Sequence, residues 1–178
     1  MNDSEIKIKL SYTTGLKPVV LGELKESDLK ILSEDVDSVF VEFSENNIQK
    51  VKKLRSVARA YLVTQSDNYH PAYISNHKSI LGNLIDIIVK YDSFKTFKIT
   101  CAGSDSSQVK SIAKYIQDTH RIQENDEADL KIHIIKSEDI WEIGIQITPR
   151  PLSVRDYKIV NMSGAMDPTV AYAVNSFC

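Results

Sequence analysis

Residues 39–63, VFVEFSENNIQKVKKLRSVARAYLV, decide how the front of this chain folds. Val39 to Phe43 is a short run of β-branched and aromatic residues, the composition of a strand. Ile48, Val51 and Leu54 then recur every three residues among Lys50, Lys52 and Lys53, which makes one apolar face of a lysine-rich helix. Ala58 to Val63 reads as a further strand. Toward the N-terminus, Leu29 to Leu32 is a strand divided from Val39–Phe43 by the acidic turn Glu34-Asp35-Val36-Asp37. Gly15 and Pro18 open a helix that carries Leu16, Val20, Leu21 and Leu24 at helical spacing. Before it, Ile6-Lys7-Ile8-Lys9-Leu10 has the period-two alternation of a half-buried strand.

The order β-α-β-β-α-β is that of the split ferredoxin-like arrangement, assigned here to residues 1–66. Toward the C-terminus, Ser66 to Tyr73 reads as a linker or capped loop because of Asn68, His70 and Pro71. Ser75 to Lys78 then precede a helix whose Ile80, Leu81, Leu84, Ile85, Ile87, Ile88 and Tyr91 cover much of its circumference, so burial on more than one side is expected. Phe94 to Cys101 alternates as a strand. Ser104 to Ser107 supply N-cap candidates for a helix carrying Val109, Ile112, Ala113 and Ile116. Asp129–Ile135 and Trp141–Thr148 read as two strands around a turn at Lys136–Asp139. The second half is therefore a separate α-β-α-β-β unit, and the expected class is α+β / α/β.

Composition excludes more than it selects. The 178 residues are 42% hydrophobic and 26% charged, as in a globular domain. No run approaches the roughly 20 apolar residues of a membrane span. The polar start, MNDSEIKIKL, shows no signal peptide, so a cytoplasmic protein without membrane association is the expectation. Cys101 and Cys178 are too few for a disulfide framework, and His70, His77, His120 and His133 lack ligand spacing, so no metal is expected. Bland surface or capping roles suit these histidines better. A net charge of −2 means that any nucleic-acid contact must come from a local basic face.

From Trp141 the chain reads WEIGIQITPRPLSVRDYKIVNMSGAMDPTVAYAVNSF. This resembles the junction of THUMP-containing RNA methyltransferases, where the last THUMP strand, a basic loop and a G-A-[ML]-x-P-T-[LV]-A-x-A helix follow one another. The matching residues are Gly144, Arg150, Pro151, Leu152, Arg155 and Tyr157, then Gly164, Ala165, Met166, Pro168, Thr169, Ala171 and Ala173. Gly15-Leu16-Lys17-Pro18 and Leu54–Tyr61 also look like that family's G-L-E-x and L-R-x-A-x-R-x-Y steps. The resemblance implies a ferredoxin-like domain, a THUMP domain over residues 74–160, and a linker helix at 161–178. It implies binding of structured RNA, tRNA or rRNA, presented to the chain's own C-terminal methyltransferase domain for base N-methylation. The cofactor of such a domain is S-adenosylmethionine.

The methyltransferase signature itself is missing from these residues. The six glycines are dispersed, no glycine-rich turn follows a strand, and no Asn or Asp precedes Pro-Pro. Asp167-Pro168 belongs to the linker motif. The expectation is that this chain holds no cofactor and has no catalytic residue, the catalytic domain lying beyond Cys178.

Candidate RNA contacts follow from where the cations fall. Arg150, between Pro149 and Pro151, Arg155 and Lys158 form a stiffened basic loop, and guanidinium groups suit phosphate because they are always charged and can bond it bidentately. Lys110 and Lys114 sit four apart, opposite the apolar stripe of their helix, and Arg121 follows its end. Lys98 and Lys95 point to opposite strand faces, so only one can join a given patch. Each cation has an ordinary reading as a solubility group. Lys50, Lys52, Lys53, Arg55 and Arg59 form the densest run, either a second phosphate rail or a charge-balanced face. Trp141 reads as core or interface rather than as a base platform. The apolar tail helix (Met166, Val170, Tyr172, Val174, Phe177) would pack on the catalytic domain or pair two chains as a homodimer. Competing readings are a non-catalytic protein-interaction α/β domain, the RNA-binding half of a thiouridine synthetase, and a small enzyme in its own right.

Overall fold

The computed structural model describes residues 5–101, 106–137, 139–154 and 165–177. They form a mixed α+β architecture that packs as two compact units. The first unit comprises Lys7–Tyr61 with the described part of Arg150–Cys178, and the second comprises Leu62–Pro149 with Glu5 and Ile6.

In the first unit the elements run β1 (Lys7–Ser11), α1 (Lys17–Glu26), β2 (Ile31–Glu34), β3 (Ser38–Glu42), α2 (Glu45–Val51) and the start of β4 (Arg59–Ser66). The β-α-β-β-α-β order read from the sequence is present. β1 and β2 both pair antiparallel with β3, which is therefore the middle of the three. The alternation of β1 buries Ile8 and Leu10, while Lys7 and Lys9 stay partly exposed. α1 starts with Pro18 in its first turn, where a missing N–H costs nothing. Ser44 caps α2 by accepting from the Asn47 N–H at 3.1 Å, an interaction worth about 1 kcal/mol. The lysine-rich helix is shorter than its spacing suggests: it ends at Val51, and Leu54 is buried from the loop beyond.

That loop is held from α1. Glu23 accepts the backbone N–H groups of Arg55 (2.7 Å) and Ser56 (2.9 Å). After Pro149 the chain returns to this unit: Ser153 N–H donates to the Ala58 carbonyl (3.1 Å), and Leu152 is buried. The tail helix, here α6, spans Pro168–Ser176 and is capped by Asp167, whose carboxylate accepts from Thr169 N–H at 2.8 Å. Pro168, Thr169 and Ala173 are buried, and Arg55 lies 5.9 Å from the Tyr172 ring centre.

The second unit begins with a helical stretch: α3 (Ile74–Asn76), a π-helical segment (His77–Gly82) and α4 (Asn83–Ile88). Then come β5 (Thr96–Cys101), α5 (Ser107–His120), a short β6 (Gln123–Glu124), β7 (Leu130–Ser137) and β8 (Ile140–Gln146). β5 pairs parallel with β6 and β7, and β7 pairs antiparallel with β8. Lys136 and Ser137 belong to β7, because the register continues to Ser137↔Ile140 and leaves a tighter turn than the polar run suggests. Ser106 is the N-cap of α5, accepting from Val109 N–H at 3.3 Å.

Alternation and register give this sheet two unlike faces. Phe97, Ile99, Leu130, Ile132, Ile134, Ile143 and Ile145 are buried, each worth roughly 1.5–3 kcal/mol on burial. α5 supplies Val109, Ile112, Ala113 and Ile116 to the core, and the segment around α4 supplies Leu81, Leu84, Ile85 and Ile88. The opposite face carries Lys98, Thr100, Lys131, His133, Ile135 and Glu142. No helix of the described residues is long and apolar enough to cross a membrane.

Candidate nucleic-acid interface

α5 places the clearest basic row. Lys110 and Lys114 are exposed one turn apart, on the side away from Val109, Ile112, Ala113 and Ile116. Arg121, also exposed, is the residue at which the helix stops: it takes a left-handed conformation (φ 57°) and its N–H donates to the Gln117 carbonyl. Eleven residues from Lys110 to Arg121 correspond to about 16 Å along a helix. The row contains one acid: Asp118 is exposed one turn after Lys114. The local field is therefore positive but modest.

Lys98 lies elsewhere. On β5 it shares the face opposite Phe97 and Ile99, and its Nζ is 3.0 Å from the Asp126 carboxylate. The buried face of the strand is the one that must meet α5, so Lys98 stands across the sheet from Lys110 and Lys114. Sequence reading missed its cross-strand neighbour Lys131, which is exposed. The signal was present in β7, where Lys131, His133 and Ile135 alternate with the core isoleucines. Arg150 is exposed in the first unit, and Arg155 and Lys158 lie outside the described residues.

Within the dense Lys50–Arg59 run, Lys50 is paired with an acid, and lysines elsewhere in the same unit are paired likewise. Lys50 meets the Asp28 carboxylate at 3.4 Å and Lys30 meets Glu42 at 2.9 Å, lining a polar cleft of about 470 Å³ with Lys25, Ser44 and Asn46. Lys17 pairs with Glu34 at 3.0 Å. Asp28, Glu34 and Glu42 thus stand among the lysines of this unit.

His70 is exposed and accepts from the Ala72 N–H, as a surface or capping role requires, but His77 departs from it. His77 is fully buried. Its Nε2 is 3.1 Å from the Pro71 carbonyl, which can only accept, so Nε2 carries the proton and Nδ1 accepts from the Tyr69 hydroxyl at 3.1 Å. Burial lowers the His77 pKa and outweighs the Pro71 bond that favours the charged form. Burial likewise raises the Tyr69 hydroxyl, so both stay neutral at ordinary pH. His120 is also lowered by burial, against the pull of Asp86 at 3.6 Å. Trp141 is half-buried, edge-on to Tyr69 at 5.9 Å and 5.9 Å from Lys136 Nζ, which fits the core or interface role. Cys101 is a half-buried free thiol raised by burial. Among the described residues no group of three or more His, Cys, Asp or Glu is placed to hold a metal.

No family model matches the chain, and no curated protein does. Solved structures do match it in fold. A predicted N6-adenine-specific DNA methylase from Listeria monocytogenes superposes with a TM-score of 0.63 at 15% identity, over 98% of this chain and 48% of that one. SMU.472, complexed with SAH, gives 0.62 at 17% identity over 98% and 49%. A 4-thiouridine synthetase in an RNA complex with bound ATP gives 0.51 at 10% identity over 79% and 41%. At these identities the likeness shows the fold alone. The chain spans about half the length of the structures it matches.

Proposed function

We propose that this chain is the RNA-positioning module of a nucleotide-modifying enzyme. Residues 1–66 are its ferredoxin-like domain, residues 74–160 its THUMP domain, and residues 161–178 its linker to an S-adenosylmethionine-dependent methyltransferase domain. The observation that carries the reading is α5, which exposes Lys110 and Lys114 one turn apart and ends at the exposed Arg121, on a body of net charge −2. Phosphate contacts fix register and orientation and leave the chemistry to another domain. The fold supports this choice of partner: it is shared with a protein solved on RNA and with others that carry a methylase description or SAH.

In this reading tRNA or rRNA is held by shape and backbone. Arg150, Arg155 and Lys158 are candidate contacts of the other unit by itself, and Lys98 serves as a secondary cation. The exposed Met166, Val174 and Phe177 around α6 are covered by the catalytic domain. A second reading, a non-catalytic protein-interaction domain, is favoured by one observation: Lys17, Lys30, Lys50 and Lys98 are each paired with an acid.

Salt-titrated binding of total tRNA decides between them. For single-stranded contacts the log–log slope is about 0.7 per neutralised phosphate. The variant Lys110→Ala, Lys114→Ala, Arg121→Ala should bind more weakly, with a slope shallower by up to about 2. Failure of the parent chain to bind at low salt sinks the RNA reading and leaves the protein-interaction one.

A further inference from the structure

We infer that the loop between β4 and α3 is a stacking site for an unpaired nucleobase, built on the exposed rings of His70 and Tyr73. The inference rests on the RNA reading and names an element that reading does not use. The loop is pinned from beneath. Tyr69 and Pro71 are buried, Tyr69 by its bond to His77 and its edge contact with Trp141, Pro71 by the proton that His77 Nε2 donates to its carbonyl. Asn68 N–H donates to Ser66 Oγ at 3.2 Å, and Asn76 Nδ2 donates to the Asn68 carbonyl at 3.1 Å. Alternate residues are thus tied down, and the others, Asn68, His70 and Ala72, face solvent with Tyr73.

The outward His70 ring is ordered as well. Its Nδ1 accepts from Ala72 N–H at 3.1 Å, and Tyr73 N–H donates to the His70 carbonyl at 3.1 Å, which closes the turn that carries both residues. Their centroids are 5.3 Å apart with 47° between planes, and Tyr73 remains 62% exposed. Singly scattered surface aromatics need no explanation, but two rings in contact on a pinned loop, one of them held by a hydrogen bond, have lost part of the freedom that ligand binding would otherwise take. The neighbours decide what the ligand is. The exposed residues that flank the pair in the chain include Asp67, Asn68, Ala72, Ser75, Lys78 and Ser79, too polar a surround for an apolar protein patch. A flat base needs only a ring face, and stacking of this kind tolerates any base. With Nδ1 accepting from Ala72 N–H, the His70 ring proton sits on Nε2, a donor for a base edge.

The test uses oligouridine carrying one 2-aminopurine, whose fluorescence falls on stacking. Tyr73→Ala should weaken binding roughly five-fold to a hundred-fold, the range for losing one stacked base, leave the salt slope unchanged and abolish the quench. Tyr73→Trp should restore both. Because Tyr73 is exposed, an unchanged melting midpoint for Tyr73→Ala separates the effect from misfolding. If Tyr73→Ala binds and quenches like the parent while Lys110→Ala, Lys114→Ala weakens binding, stacking is wrong and the RNA reading stands. If the parent chain binds tRNA but not the oligonucleotide at low salt, stacking is wrong and the RNA reading stands; if it binds neither, both fall.

Discussion

The imidazole of His133 lies over the backbone of Gly144, its cross-strand partner, so closely that a Cβ on Gly144 would clash with His133 Cε1 and Nε2. The same ring places Nε2 3.2 Å from the Glu142 carboxylate. Glycine in a strand interior usually weakens it, and here its bare Cα is what lets the ring settle. Gly144→Ala should cost about 1–3 kcal/mol in urea denaturation, the range for overpacking. His133→Ala in the same chain should recover part of that loss, since the clash needs both side chains. An alanine variant as stable as the parent would mean that the ring is not confined.

Asp129 ties the start of β7 to β5. Burial raises its carboxyl pKa, but the N–H groups of Lys95 and Thr96 and the Thr96 hydroxyl outweigh it and hold the group below its ordinary 3.8. A depressed folded pKa adds stability above the unfolded value, and that contribution is lost as pH falls through the folded one. The chain should therefore lose stability from about pH 4 downward. Asp129→Asn should flatten that stretch of the curve while costing on the order of 1 kcal/mol at neutral pH. An identical acid limb in both proteins would show that other carboxylates govern it.

The carboxylate of Glu23 takes two backbone N–H groups and the Ser56 hydroxyl in the loop after α2. Glu23→Ala leaves those N–H groups to water or to nothing, and should cost about 1–3 kcal/mol. Arg55 from that loop lies by Tyr172 of α6, so the damage should extend to the tail helix. Amide hydrogen exchange in Pro168–Ser176 should accelerate more than exchange in α5, which belongs to the other unit. Equal acceleration in both helices would point to global destabilisation instead.

Period-two and period-three spacing made the elements legible, because burial enforces it: Ile8 and Leu10, Phe97 and Ile99, and Val109, Ile112 and Ile116 are core residues in both views. Element ends were less so. β2 starts at Ile31 rather than Leu29, because the backbone reverses at Asp28 with φ 52°, a conformation that a single sequence does not advertise. His77 was unreadable as core for a related reason. Its burial depends on a carbonyl from Pro71 and a hydroxyl from Tyr69, six and eight residues away, and no periodicity encodes such partners. The basic row of α5 could be read because it needs only one helix. Whether a lysine is paired could not, since Lys98–Asp126 and Lys50–Asp28 join residues far apart in the chain.

Arg121 separates function from stability most cleanly. It closes α5 in the left-handed region, where a side chain costs on the order of 1 kcal/mol and glycine is the usual occupant. For helix termination alone, then, arginine is the poorer choice. Arg121→Gly should be at least as stable as the parent, because relief of the left-handed strain offsets the extra freedom of glycine in the unfolded chain. If the guanidinium serves RNA, the same variant should bind tRNA more weakly, with a salt slope shallower by about 0.7. Lys110→Ala, equally exposed but in relaxed helix, provides the comparison: weaker binding with stability unchanged to within about 0.5 kcal/mol. Undiminished tRNA affinity in Arg121→Gly would remove the arginine from the interface and leave its left-handed conformation without a function to explain it.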